Sequence, residues 1–152
     1  MATAGSVDLT EAHSPKDTSI STFESILPEL KHELKKVRHN HDKHEPEYFR
    51  AVKDLSDDEL TAFTADNLVA VRAGESAYGL HLFGKVKIPA LENGYIHVRI
   101  FIAAKDGTDG STVDERVAKL HSIHTEEVVK DDGDHVYRAI FGKDDPLEWF
   151  DT

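Results

Sequence analysis

The sequence predicts an α+β domain: an antiparallel sheet packed against one N-terminal helix, with a helical insertion before the last strand. Two observations carry this expectation. One long stretch places apolar residues at steps of three and four, and the segments after it alternate with period two between turn residues. A third bounds it: 152 residues with 39% hydrophobic content suffice for one core and are too few for two comfortable ones.

Residues 1–18, rich in Ser, Thr, Ala and acid, read as a flexible arm, and residues 19–152 as one domain. From Ile20, the residues Phe23, Leu27, Leu30, Leu34 and Val37 define one stripe of a helix that contains Pro28. Proline removes one backbone donor there and is expected to bend the first turns. Tyr48 to Val52 reads as a short strand. Ser56 and Glu59 form a capping box for a brief helix carrying Leu60 and Phe63. Asn67 to Ala73 reads as a strand. Tyr78, Leu80, Leu82, Val86 and Ile88 share one parity in the next, with Gly84 as a bulge or bend. Asn93-Gly94 is a hairpin turn signal. Beyond it Ile96, Val98, Ile100 and Ile102 oppose His97 and Arg99, the pattern of a sheet covered on one side. Ser111 and Asp114 can cap a second helix carrying Val113, Val117, Leu120 and Ile123, inside an insertion spanning 103–134. Asp132-Gly133 signals a turn, and Val136 to Phe141 a last strand.

Composition excludes several function classes. Eighteen basic against 29 acidic residues give a net charge of -11, which repels phosphate backbones and anionic lipid. Neither nucleic acid nor membrane is an expected partner. The absence of cysteine removes disulfides, thiolate metal sites and cysteine nucleophiles. No secretory signal and no spanning apolar run is visible, so a cytoplasmic protein is expected.

Four pieces stand in order: the helix around Leu27-Pro28-Glu29-Leu30-Lys31-His32-Glu33-Leu34, then Val71-Arg72-Ala73-Gly74, then Tyr95 to Phe101, and last Lys143 to Phe150. Together they resemble the stefins, the cytosolic single-domain branch of the cystatin superfamily; the second is similar to the end of the family's Q-x-V-x-G loop, the third to its penultimate strand and the fourth to its C-terminal stretch. The resemblance implies reversible inhibition of papain-like cysteine proteases, a β-hairpin loop entering the cleft beside the catalytic cysteine. The protease-binding residues it implies are Ala70, Val71, Arg72, Ala73 and Gly74, with Gly5 in the flexible N-terminal role. Ala70 stands where the pattern has Gln, and Arg72 where it has the second Val. A second registration puts the loop near Asp58 to Phe63, without the motif. Small residues such as Ala73 and Gly74 suit a loop that must approach a cleft floor. Arg72 must point to solvent or find an acid.

Other constellations compete. A non-inhibitory interaction module of the same fold would use the 103–134 insertion. His39, His41 and His44 have spacings that a metal could use at a helix end, where histidines also suit the helix dipole. Asp106 to Gly110 resembles a calcium loop only superficially. Gly74-Glu75-Ser76-Ala77-Tyr78-Gly79 approaches a nucleophile elbow, but its second glycine is one place late and it joins two strands. No enzyme and no cofactor is expected.

Overall fold

The apolar stripe at the start of the domain forms α1, Asp17–His44, in a computed structural model that describes residues 9–76, 78–103 and 118–150. Phe23, Ile26, Leu30 and Leu34 are buried on it, with Leu27 and Val37 half-buried beside them. Pro28 lies on the exposed side. Its missing donor is therefore lost where water can satisfy the carbonyl left behind, and the helix runs through without interruption. Histidines and Lys43 in the last turn suit the negative end of the helix dipole.

Between helix and sheet the chain makes a 3₁₀ segment, Pro46–Val52, and a single turn, α2, Asp57–Leu60. The strand expected over Tyr48 to Val52 is thus a correction. Pro46 fixes the first turn, and Phe49 and Val52, three apart, both bury on the side facing α1. The expected capping box on α2 is present: the Glu59 N–H donates to Ser56 Oγ at 3.1 Å, and the Ser56 N–H to Glu59 Oε1 at 3.0 Å. Ser56→Ala should cost about 1 kcal/mol in urea unfolding, the usual value of such a cap.

Four antiparallel strands form the main sheet in the order β1-β2-β3-β4, with β1 Leu68–Ser76, β2 Gly79–Lys87, β3 Tyr95–Ala103 and β4 Ala118–Ile123. A separate hairpin pairs β5, Glu126–Val129, with β6, His135–Arg138, around the expected turn at Asp132-Gly133, where Gly133 has φ of 87°. The face toward α1 carries Leu68, Val71, Leu82, Val86, Ile96, Val98, Ile100 and Ile123.

Several local expectations change. Ala118 to Ile123 is a strand, not part of a helix; Ser111, Val113, Asp114 and Val117 lie outside the described residues. The physical reason is a bulge: Arg99 pairs with Ser122 and Ile100 with Leu120, which leaves His121 as an extra residue and puts Leu120 and Ile123, three apart, toward one core. A second bulge at Val69 does the same for Leu68 and Val71 on β1. Gly84 is not a bulge, since it pairs regularly with Val71 and Val98. A Cβ there would stand 2.9 Å from Leu68 Cδ1 and 3.4 Å from Val98 Cγ2, so close packing explains the glycine. Asn93-Gly94 ends a wider connection, closed by the Ile88 N–H donating to the Gly94 carbonyl at 2.8 Å.

The sheet is covered on both faces. Past β6 the chain crosses the side opposite α1, where Phe83, Leu147 and Phe150 form a second apolar cluster with Trp149 and Leu9 against it. His81, Lys85, His97 and Arg99 lie beneath this segment, each no more than 5% exposed. The expectation of a one-sided sheet with His97 and Arg99 in water is thereby corrected. Their burial is made tolerable by tail carbonyls: Lys85 Nζ donates to Lys143 O at 2.9 Å and Asp145 O at 2.6 Å, and Arg99 Nη1 to Phe150 O at 3.0 Å.

The chain before α1 is partly paired as well. Thr10 N–H donates to the Ala73 carbonyl at 2.8 Å, and His13 and Val71 exchange backbone hydrogen bonds at 3.1 and 2.9 Å. So the second half of the expected flexible arm runs along the outer edge of β1, and α1 begins at Asp17.

Candidate functional site

Ala70, Val71, Arg72, Ala73 and Gly74 sit in the middle of β1, opposite Lys85, Gly84, Phe83, Leu82 and His81 of β2. They are strand, not loop. The hairpin reverses farther on, where Ser76 pairs with Gly79, and Tyr78 stands at its tip with 56% of its surface exposed. The placement follows from the residues: Val71 faces the core at 1% exposure, while Gly74 backs onto the face under the C-terminal segment. Gly5 lies outside the described residues.

Arg72 takes neither of the courses expected of it. Its Nε donates to the Thr10 carbonyl at 2.7 Å and its Nη1 to the Leu147 carbonyl at 2.7 Å. One planar guanidinium thus fastens the N-terminal segment and the C-terminal segment to the same strand, a task for which its fork of donors is suited. The Ala73 N–H donates to Thr10 Oγ1 at 3.0 Å, adding a further tie.

The tip is held by a chain of polar contacts that begins under the tail. Arg99 Nη2 lies 3.2 Å from His81 Nδ1, and His81 Nε2 lies 2.9 Å from Ser76 Oγ. A guanidinium only donates, so Nδ1 is the acceptor and the ring proton sits on Nε2, donating to the serine. Ser76 Oγ also accepts the Tyr78 N–H at 3.1 Å. Burial first, then the charge of Arg99 and that of His121, hold the His81 imidazole below its ordinary range, so it is neutral at pH 7. This tautomer closes the nucleophile reading of Ser76: the only basic nitrogen of His81 faces a cation, and the other gives its proton away.

The histidine cluster at the end of α1 is dispersed by helix geometry. His39 Nε2 is 2.9 Å from Asp57 Oδ2, whose pKa that hydrogen bond lowers, while the His41 ring packs on Tyr48 at 4.3 Å and Phe49 at 5.8 Å. Residues two and five apart do not share a helix face, and His39, His41 and His44 do not converge. Among the described residues no group of three or more His, Asp or Glu has the geometry to hold a metal ion. His41 instead joins Glu29, Glu33, Leu120 and His121 around a cavity of about 300 Å³ between α1 and β4, on the helix side of the sheet. The calcium-like segment Asp106 to Gly110 lies outside the described residues.

Sequence reasoning does not mark His81 or Lys85 as site residues, and it reads Arg99, with His97, as a solvated sheet face before a pocket lining. Their only sequence signal is charge and imidazole at alternate positions of two strands, which also describes a solvated face. No helix among the described residues is long and apolar enough to cross a membrane. No protein-family description, curated protein or solved structure matches the chain.

Proposed function

We propose that the protein is a stefin-like reversible inhibitor of papain-like cysteine proteases, acting in the cytoplasm by occluding the active-site cleft with the β1-β2 hairpin and the N-terminal segment. The observation that supports this reading is the pairing of Thr10 and His13 along β1, antiparallel to it, with Thr10 on the side of His13 nearer the Ser76 to Gly79 tip. The Ser76 to Gly79 reversal, with Tyr78 exposed on it, makes a narrow protrusion at that edge. Its strands are fixed on both sides by backbone pairing and by Arg72, so little ordering entropy is lost on binding. The cleft contact falls to Tyr78 and its neighbours rather than to Val71 through Gly74, which the strand ladder occupies.

Titration of active papain, followed by hydrolysis of a fluorogenic peptide, tests the proposal. Stoichiometric loss of activity without cleavage of the protein, weakened by Tyr78→Asp, is the expected result. Full papain activity at micromolar protein overturns it, and leaves a non-inhibitory interaction module as the reading to pursue.

A further inference from the structure

We infer that the C-terminal segment positions the hairpin tip, through a relay from Phe150 by way of Arg99, His81 and Ser76 to the backbone of Tyr78. The inference rests on the inhibitory reading for its consequence, though not for its geometry.

Each link is specific. Arg99 is fixed at one end by the Phe150 carbonyl, 3.0 Å from Nη1, and by the Trp149 ring, over which its guanidinium carbon lies at 4.3 Å. The other end of the same group meets His81 Nδ1, and Trp149 packs on the imidazole as well, ring centroids 5.2 Å apart. His81 is thereby held in one tautomer and one orientation by two residues of the tail and one of β3. Its Nε2–H then orients the Ser76 hydroxyl, whose oxygen takes the Tyr78 N–H. In the middle of the relay donation runs from the guanidinium to the imidazole to the hydroxyl, while at its ends Arg99 donates to the Phe150 carbonyl and the Tyr78 N–H donates to Ser76 Oγ. None of the intermediate groups can reverse, because an arginine has no acceptor to offer.

The arrangement makes His81 and Arg99 positioning residues. Both are buried, at 2% and 4% exposure, and neither is available to touch a partner. Tyr78, half in solvent at the tip, is the residue they present. A tail lifted from the sheet would free Arg99 and the His81 ring together, and the tip would lose a defined shape while its strands stayed paired. Affinity for a partner would then depend on a segment that makes no contact with it.

Three variants test this: His81→Leu removes the relay; His81→Gln keeps an amide donor near the place of Nε2; Trp149→Ala removes the tail ring that packs on Arg99 and His81 and leaves both of those side chains in place. Amide hydrogen exchange at Tyr78 is read beside exchange at Leu82 and Ile100 in the strands, and papain titration is read in parallel. The relay predicts that His81→Leu and Trp149→Ala speed exchange at Tyr78 by about tenfold, the worth of one hydrogen bond, with strand amides slowed or sped far less. His81→Gln should restore it, and inhibition should weaken and recover with it. Exchange at Tyr78 unchanged in both His81→Leu and Trp149→Ala overturns the relay. Equal acceleration at all three amides also overturns it, because that is general destabilisation. Should the wild-type chain leave papain active, the inhibitory reading falls alone and the exchange pattern still decides the relay.

Discussion

His97→Phe should reduce the acid sensitivity of the fold while leaving it at least as stable at pH 7. His97 is 2% exposed and lies against the Phe141 ring at 4.4 Å and 11°, with His124 at 6.4 Å on the stack. Its Nε2 has no hydrogen-bond partner among the described residues. Burial, then the charges of Lys85 and His124, drive its pKa from 6.5 down to about 3, against the opposing pull of Asp145. The sign follows from linkage. Below pH 6.5 the unfolded chain takes up a proton that the folded one refuses, so this stability is complete above pH 6.5 and is lost as pH falls toward about 3. Each pH unit in that window costs about 1.4 kcal/mol, or roughly 3 kcal/mol between pH 6.5 and 4.5. Urea unfolding of both proteins at pH 7 and pH 4.5 measures it. A wild-type loss exceeding that of the variant by about this amount is expected; equal losses would show that His97 does not resist protonation.

Phe83→Ala should cost about 3–5 kcal/mol, the range for emptying an aromatic site in a packed core. The larger point is where the damage goes. Phe83 is fully buried on the tail side, with Trp149 at 5.3 Å, Phe150 at 5.2 Å and the Arg99 guanidinium carbon 5.6 Å from its ring. The face toward α1 does not depend on it. Limited proteolysis should therefore cut the chain between Lys143 and Phe150 well before it cuts β1 to β3, and thermal unfolding should shift down. Val69→Ala, at a bulged and 42% exposed position, serves as control and should stay within about 0.5 kcal/mol of wild type. A variant in which tail and sheet become susceptible together would show that the tail is not a separately held layer.

Much of the helix-side half was readable because its signals are local. The stripe from Phe23 to Val37, the Ser56 and Glu59 box and the alternation of β3 each need only a few neighbouring residues. Strand β4 was not readable: the bulge at His121 turns a two-residue spacing into three, and Leu120 with Ile123 then imitates a helix. The hairpin tip lies three to five residues beyond Ala73 and Gly74, which have the composition of a turn, while the pairing that makes them strand comes from Leu82 and His81. Hardest of all was the second face. Nothing near His97 or Arg99 in the chain announces that Phe141 and Phe150 will cover them, since those contacts join positions far apart in the sequence.

The polar side chains beneath the tail also decide what that face would be without it. With the segment after β6 lifted away, the side of the sheet opposite α1 would show Lys85, His97 and Arg99 to water, with His81 and Phe83 among them. A bare apolar face is the usual hazard of a sheet, a surface to which other chains adhere. The two cations would draw water onto a surface that Phe83 alone would leave greasy. The same side chains are anchors while the carbonyls of Lys143, Asp145 and Phe150 lie over them.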